Sequence, residues 1–285
     1  MNKRLLEKNS RIWLEEDMPY GDITTDAIVG SDVMGHAKLI AKAEGMICGL
    51  FVLQAVFSIL DSRICVQTIV KDGDRVTSGT LLAVIEGPMH AILKGERTAL
   101  NIIQRLSGIA TQASAYADEV RDLAVKIVDT RKTTPGLRYF EKMAVRLGGC
   151  TNHRLSLSDA VMIKDNHIIA AGSISKAVAS VRMQMPYTAK IEVEVDNMPE
   201  LTEAIDAKVD IIMLDNMTLE EMRDAVGYVR DAVGHTIILE ASGNMTLDRI
   251  REVALTGVDI ISVGALTHSV KALDMSLKLT QSPPL

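Results

Sequence analysis

From about residue 125 onward the chain repeats one unit. Short apolar runs, AVKIVD (124–129), AVMIKD (160–165), KIEVEVD (190–196), DIIMLDN (210–216), TIILEAS (236–242) and VDIISVG (258–264), alternate with longer amphipathic stretches. A parallel strand needs a crossover of helix length before the next can begin, so this alternation leaves few architectures open. It predicts repeated βα units forming a parallel barrel. Helix-start signals fall where that reading needs them: Thr218-x-x-Glu221 is a capping box, and Asn197 precedes MPELTEAI with Pro199 near the helix start. The six runs do not by themselves establish a closed barrel of eight strands.

The first hundred or so residues follow a different rhythm. β-like runs, HAKLIAKAEGMICG, RICVQTIV and TLLAVIEG, are punctuated by KDGD and by glycines. The segment VKDGDRVTSGTLLAVIEG (70–87) has the strand spacing of biotinyl and lipoyl carrier domains. Such carriers need a lysine at an exposed hairpin tip. The corresponding EGPMHAIL has none, and Lys94 comes too late, so the strands are expected without the modification. Between the two regions GERTALNIIQRLSGIATQASAYADEV (95–120) predicts a joining helix, its three-and-four apolar spacing interrupted at Ser107-Gly108. At 285 residues, one large α/β domain or two are expected. An aliphatic composition with only 3% aromatic residues suits parallel strands covered by helices.

Several function classes drop out. A formal net charge of -6 argues against a nucleic-acid surface. Cys48, Cys65 and Cys150 are odd in number and far apart, which implies neither a disulfide framework nor a zinc ribbon and suits a reducing cytoplasm. MNKRLLEKNSRIWLEED lacks the apolar core of a signal peptide, and no run reaches the length of a membrane span. A soluble, cytoplasmic protein is expected.

The chemistry collects where the strands end. The runs finish in Asp129 followed by Arg131 and Lys132, then Lys164, Glu194, Asp215, Glu240 with Ser242, and Gly264. In a parallel barrel those ends share one face, which is where such folds place their sites. Strand ends are often polar for trivial reasons, but cations and carboxylates ringed around one mouth suit an anionic substrate with a divalent metal. Glu194 and Asp215 sit at matching positions of successive strands, and oxygen ligands of this kind suit Mg²⁺. The lesser alternative is a pair of strand-end acids capping neighbouring helices. His153 and His167 lack zinc-site spacing. In GGCTNHRLSLSD (148–159), His153 and Arg154 form a candidate carboxylate clamp, since arginine offers a planar bidentate fork. LEASGNM (239–245) and SVGALTHS (262–269) are Gly/Ser turns whose backbone N–H groups, opening into helices, could cradle a phosphate. Arg97, at the start of the joining helix, would be a surface charge if read alone.

Taken in order, ERTALNIIQRLSGIAT, DTRKTTPGLR, GGCTNHRLSLSDAVMIKDNHI, EVEVDN, MLDNM, LEASGNM and ISVGALTHS closely resemble the quinolinate phosphoribosyltransferase family, also called nicotinate-nucleotide pyrophosphorylase (carboxylating). The resemblance runs from EEDMPYGDITT to about residue 275. DTRKTTPG with HR and MIKDNH is its specific part. It implies an N-terminal α/β sandwich domain (1–110), an open, incomplete TIM-like α/β barrel of about seven strands (111–268), and a C-terminal helix (269–285) returning to the first domain.

The implied activity transfers phosphoribosyl from phosphoribosyl pyrophosphate to quinolinate with loss of CO₂, a step of NAD biosynthesis, with Mg²⁺ and no organic cofactor. The family further implies a homodimer in which Arg97 crosses to the partner's site. With Thr130, Arg131, Lys132, His153, Arg154 and Lys164 it would hold quinolinate. Glu194 and Asp215 would face the ribose and Mg²⁺–pyrophosphate, and Ser242, Gly243, Asn244, Val263, Gly264 and Ala265 the 5′-phosphate. Lys132, Lys164, Glu194 and Asp215 are the implied catalytic groups. A molybdenum-transport-associated branch of the same fold has an opening similar to EEDMPYGD; Lys164 in MIKDNH sets this chain apart from it.

Overall fold

The computed structural model describes residues 2–281 and divides the chain into two compact units, 1–112 with 270–285 and 113–269.

In the first unit, helix α1 (Lys3–Asp17) and the short α2 (Ile23–Ile28) lead into strand β1 (Met34–Ala41). The two-residue β2 (Gly45–Met46), helix α3 (Leu50–Leu60), β3 (Cys65–Thr68), β4 (Arg75–Val76) and β5 (Leu81–Pro88) follow. The order β12-β1-β5-β3, in which β12 is Met275–Gln281, makes a four-stranded antiparallel sheet, and β2 pairs with β4. Along β1 every second residue is buried, with Ala37, Leu39 and Ala41 at 0% exposure, as a sheet with one packed face requires. Leu6 and Leu14 of α1, with Val52, Leu53, Val56 and Phe57 of α3, add to this core.

A C-terminal helix over 269–285 was expected; Met275–Gln281 is instead a strand, and residues 282–285 lie outside the described part. The reason is legible in MSLKLTQ, where Met275, Leu277 and Leu279 alternate with Ser276, Lys278 and Thr280 at the period of a strand. Its register against β1 runs from Gly35↔Gln281 to Ala41↔Met275, so β1 gains a partner on its open side.

Helix α4 (Met89–Glu119) follows β5 directly and continues into the second unit. It is unbroken at Ser107-Gly108. There the Ser107 hydroxyl accepts from the Cys48 N–H at 3.0 Å, and a side chain on Gly108 would collide with the backbone of Lys271 and Ala272. Small residues at that point mark a close approach, not a helix end.

The second unit is β6 (Lys126–Val128), α5 (Arg138–Leu147), β7 (Val161–Ile163), α6 (Asp165–Ala171), α7 (Ile174–Gln184), β8 (Ile191–Val195), α8 (Met198–Asp206), β9 (Ile211–Asp215), α9 (Leu219–Val233), β10 (Ile238–Ser242), α10 (Ile250–Ala254), β11 (Ile260–Ser262) and α11 (Ala265–His268). Its strands form one parallel sheet in the order β6-β11-β10-β9-β8-β7. A single parallel bridge, Val128↔Thr151, adds a rudimentary seventh position beside β6. β7 and Thr151 are therefore the two edges of an open barrel. The caps form as the sequence suggested: Asn197 accepts from the Glu200 N–H at 3.0 Å, and Thr218 and Glu221 exchange a capping box. Among the described residues no helix is long and apolar enough to cross a membrane.

Candidate active site

Inside an α/β barrel a strand presents alternate residues to the interior, so the inward set is spaced by two. On β8, I-E-V-E-V, Val193 and Val195 are fully buried on one side while Glu192 and Glu194 take the other. The same spacing selects Met213 and Asp215 on β9, Glu240 and Ser242 on β10, and Met162 with Lys164 at β7. The register pairs Ser242 with Asp215, setting both at one level.

Met162, Lys164, Glu194, Met213, Asp215, Glu240 and Ser242 line a cavity of about 380 Å³, together with Ser262, with Thr130, Arg131 and Lys132 from the loop after β6, and with His153 and Arg154. Of the residues expected at the site, Thr130, Arg131, Lys132, His153, Arg154, Lys164, Glu194, Asp215 and Ser242 all line it. Gly243, Asn244, Val263, Gly264 and Ala265 do not, and neither does Arg97, an exposed residue of α4 in the first unit.

Positive charge is concentrated on one wall. Nε of Arg131 is buried and has no hydrogen-bond partner. Arg154 is held by its own loop, Nη1 donating to the Ala160 carbonyl at 3.0 Å. Burial, and then the nearby charge of Arg131, lowers the Arg154 pKa. Two guanidinium groups that disfavour each other's charge become favourable partners once an anion lies between them. Lys164 closes the wall by an ion pair from Nζ to Oε2 of Glu194 at 2.5 Å. Arg138 serves the loops themselves: Nε donates to the Thr133 hydroxyl at 2.9 Å and Nη1 to the Leu155 carbonyl at 3.3 Å.

The turn after β10 is tightly specified. Gly243 (φ +92) and Asn244 (φ 49) both lie in the left-handed region. A Cβ on Gly243 would stand 2.8 Å from Cγ and 2.9 Å from the backbone nitrogen of Asn216, whose own N–H donates to the Ser242 carbonyl at 3.1 Å. Contrary to expectation this turn does not open into a helix, because α10 begins only at Ile250. The turn after β11 does: Gly264 is the N-cap of α11, and a Cβ there would meet Cδ of Lys132 at 3.1 Å.

With this geometry in view, the comparisons with known proteins are decisive. Residues 22–107 match the quinolinate phosphoribosyl transferase N-terminal domain and residues 109–278 its C-terminal domain. The chain belongs to the quinolinate phosphoribosyl transferase family. It is 46% identical over 270 residues to a probable nicotinate-nucleotide pyrophosphorylase [carboxylating] of Synechocystis, covering 95% of this chain and 91% of that one. To the Mycobacterium leprae nicotinate-nucleotide pyrophosphorylase [carboxylating] it is 42% identical, covering 93% and 94%. The crystal structure of NadC from Streptococcus pyogenes superposes with a TM-score of 0.93 at 43% identity over 99% of each chain.

One step in from the strand ends stand residues to which the sequence assigns no site role. Met162, Glu192, Met213, Glu240 and Ser262 each stand two residues before a strand-end residue, Lys164, Glu194, Asp215, Ser242 and Gly264. The signal that finds them is the two-residue period of a strand counted back from each strand end. His153 reaches down to this layer, with Nε2 at 3.2 Å from Glu192 and 3.5 Å from Glu240. Both acids are buried, at 2% and 1% exposure, and each keeps an Oε1 without a partner.

His153, Glu192 and Glu240 have the composition of a metal site, but the other ring nitrogen argues against one. Nδ1 accepts the Arg154 N–H at 2.7 Å. A metal on Nε2 would require the proton on Nδ1, facing another N–H. Burial presses His153 toward its neutral form, while the charges of Glu192 and Glu240 press it toward the charged one. An imidazolium would meet the same opposing N–H as a metal-bound ring. The hydrogen bond therefore favours the neutral ring with its proton on Nε2, facing the carboxylates. Burial first, and then the charge of Glu240, raises the Glu192 pKa.

Hard oxygen donors at Glu194 and Asp215 fit Mg²⁺ better. Both are half-buried and open to the cavity, where a cation could keep waters and phosphate oxygens in its shell. Asp215 is steadied by the Asn216 side-chain amide, which donates to Oδ2 at 2.6 Å.

Proposed function

We propose that the chain is a quinolinate phosphoribosyltransferase (decarboxylating), joining quinolinate to the phosphoribosyl group of phosphoribosyl pyrophosphate and releasing pyrophosphate and CO₂. The observation that carries this reading is the buried, unpartnered Nε of Arg131 beside Arg154, in a cavity of about 380 Å³. A dianion with adjacent carboxylates supplies the acceptors that this wall lacks, with Lys132 and Lys164 completing the clamp and His153 holding the Arg154 backbone in place behind it. The Thr130 hydroxyl accepts the Lys132 N–H at 3.1 Å, which shapes the loop and leaves its own proton free to donate to the ligand.

Glu194 and Asp215 face the ribosyl donor and would hold the Mg²⁺ that accompanies its pyrophosphate. When bound, that ion supplies charge neutralisation at the leaving group. The Ser242–Gly243–Asn244 turn and the Val263–Gly264–Ala265 segment receive the 5′-phosphate through backbone N–H groups. The pyridine nitrogen attacks C1 of the ribose as the C1–O bond to pyrophosphate breaks. The ring, now a pyridinium, accepts the electron pair left as the 2-carboxylate departs as CO₂, and a proton then replaces it. The chain's residues need only bind, orient and stabilise charge, so no organic cofactor and no protein nucleophile is required.

Arg97 enters the clamp from a second copy of the chain, in a homodimer. Mixing an Arg97→Ala variant with an Asp215→Asn variant should then restore part of the activity that each lacks alone. A cytoplasmic setting suits three free thiols, of which Cys150 is pushed up to about 12 by burial and so stays protonated.

The deciding experiment incubates the chain with quinolinate, phosphoribosyl pyrophosphate and Mg²⁺ and measures nicotinate mononucleotide and CO₂. Folded protein that yields neither overturns the reading in favour of another substrate on the same fold, as in the molybdenum-associated branch.

A further inference from the structure

We propose that Asp129, Lys142 and Asn152 act as positioning residues that set the two halves of the quinolinate clamp relative to each other. This rests on the function proposed above and extends it to residues that do not line the cavity.

Asp129 is 0% exposed and Lys142, on α5, 2% exposed, and they form an ion pair inside the second unit. Their remaining contacts all go to one place. Lys142 Nζ also donates to the His153 carbonyl at 3.0 Å, and the His153 N–H donates to Oδ1 of Asp129 at 2.9 Å. The Asn152 amide donates to Oδ2 of Asp129 at 2.6 Å and to the Lys142 carbonyl at 2.8 Å. One carboxylate thus fixes the backbone immediately before Arg154 and itself stands two residues before Arg131. Glu141, also fully buried, accepts the Thr134 N–H at 3.1 Å, so the same turn of α5 holds the loop beyond Lys132.

This is an uneconomical way to fill a core. Burial raises the Asp129 pKa and lowers that of Lys142, in each case more than the partner's attraction compensates. A well-packed apolar pair would serve stability as well or better. What an apolar pair cannot do is hold the His153 backbone by two directed hydrogen bonds and the Asn152 side chain by a third.

The test uses the full chain and compares wild type, Lys142→Met and the double variant Asp129→Asn/Lys142→Met. Melting temperature, quinolinate affinity by calorimetry, and KM for each substrate are measured. Lys142→Met leaves a buried carboxylate unpaired, so it should melt lower and bind quinolinate about 100-fold more weakly, with KM for the ribosyl donor little changed. The double variant removes the uncompensated charge and should recover melting temperature without recovering quinolinate affinity. Affinity that returns together with melting temperature overturns the positioning role, as does wild-type affinity in Lys142→Met. If Lys142→Met does not fold, the double variant decides alone. A wild-type chain that fails to convert quinolinate overturns the proposed function; one that converts it while the double variant binds normally overturns only the positioning role.

Discussion

Lys164 and Glu194 join the ends of neighbouring strands, Nζ to Oε2 at 2.5 Å, and in doing so join the two halves of the chemistry. The lysine belongs to the cationic wall and the glutamate to the face proposed for the ribosyl donor. Each keeps the other's charge from standing alone. Lys164→Ala and Glu194→Gln should therefore both impair turnover, and their effects should not add. A double-mutant cycle on kcat/KM is expected to give a coupling of about 1 kcal/mol or more. Strict additivity would show that the pair is a resting contact without consequence for the reaction.

Arg131 carries the sharpest expectation about the acceptor. Its buried Nε has no protein partner, so a ligand carboxylate is its natural counterpart. Arg131→Ala should weaken quinolinate by about 2 kcal/mol or more, some 30-fold. Arg131→Lys should recover little, because an ammonium group cannot reproduce the planar fork. Calorimetric titration with quinolinate alone checks both, and unchanged affinity in the alanine variant would remove Arg131 from the clamp.

Asp215 tests the other substrate. Asp215→Asn keeps the size and the level beside Ser242 but removes the charge proposed to face Mg²⁺. Turnover with saturating phosphoribosyl pyrophosphate should fall about 10²-fold or more, with quinolinate affinity measured alone nearly unchanged. Wild-type steady-state kinetics would take this residue out of the site.

The Gly243 turn should be intolerant of any side chain. Its φ of +92 already disfavours an L residue, and the backbone nitrogen of Asn216 would lie 2.9 Å from the added carbon. Gly243→Ala is expected to destabilise the fold by about 1–3 kcal/mol and to raise KM for the ribosyl donor, as the turn opens away from the phosphate. Chemical denaturation and donor kinetics together check this. A variant as stable as wild type with normal donor KM would show that the turn is neither strained nor used.

How much of this was visible beforehand follows from which interactions are periodic. The six barrel runs all became strands, because βα alternation is a local property of sequence and the barrel satisfies it locally. Met275–Gln281 carried an equally plain alternation, but its partner β1 lies more than two hundred residues away, and only that pairing decides between strand and helix. The rim residues were legible as strand ends. Glu240 was read as a strand-end acid without a role and Glu192 not at all, because a buried acid two residues deeper looks, in sequence, like any polar residue of a half-exposed strand. Asp129 was legible as a strand end, but its pairing with Lys142 was not. A lysine on a helix thirteen residues after an aspartate reads as a solvated charge, and only the tertiary fold buries both.

The last expectation concerns acid stability and is independent of the site. Arg251, on α10, donates from Nη1 and Nη2 to the two carboxylate oxygens of Asp122 at 2.8 and 2.7 Å, and Nη1 also donates to the carbonyl of Glu119 at the end of α4. That forked hydrogen bond is the main reason the Asp122 pKa falls from 3.8 to about 2. The sign follows from linkage. Because the folded pKa lies below the unfolded one, the pair's contribution is complete above pH 3.8 and is lost as the pH falls toward about 2. Wild type should therefore lose melting temperature more steeply across that window than Asp122→Asn, while the two curves run parallel at higher pH. Both groups are exposed, so salt near 1 M should shrink the difference, the screening length there being only about 3 Å. Parallel curves throughout the acid window would show that the pair, however well formed, does not contribute to stability.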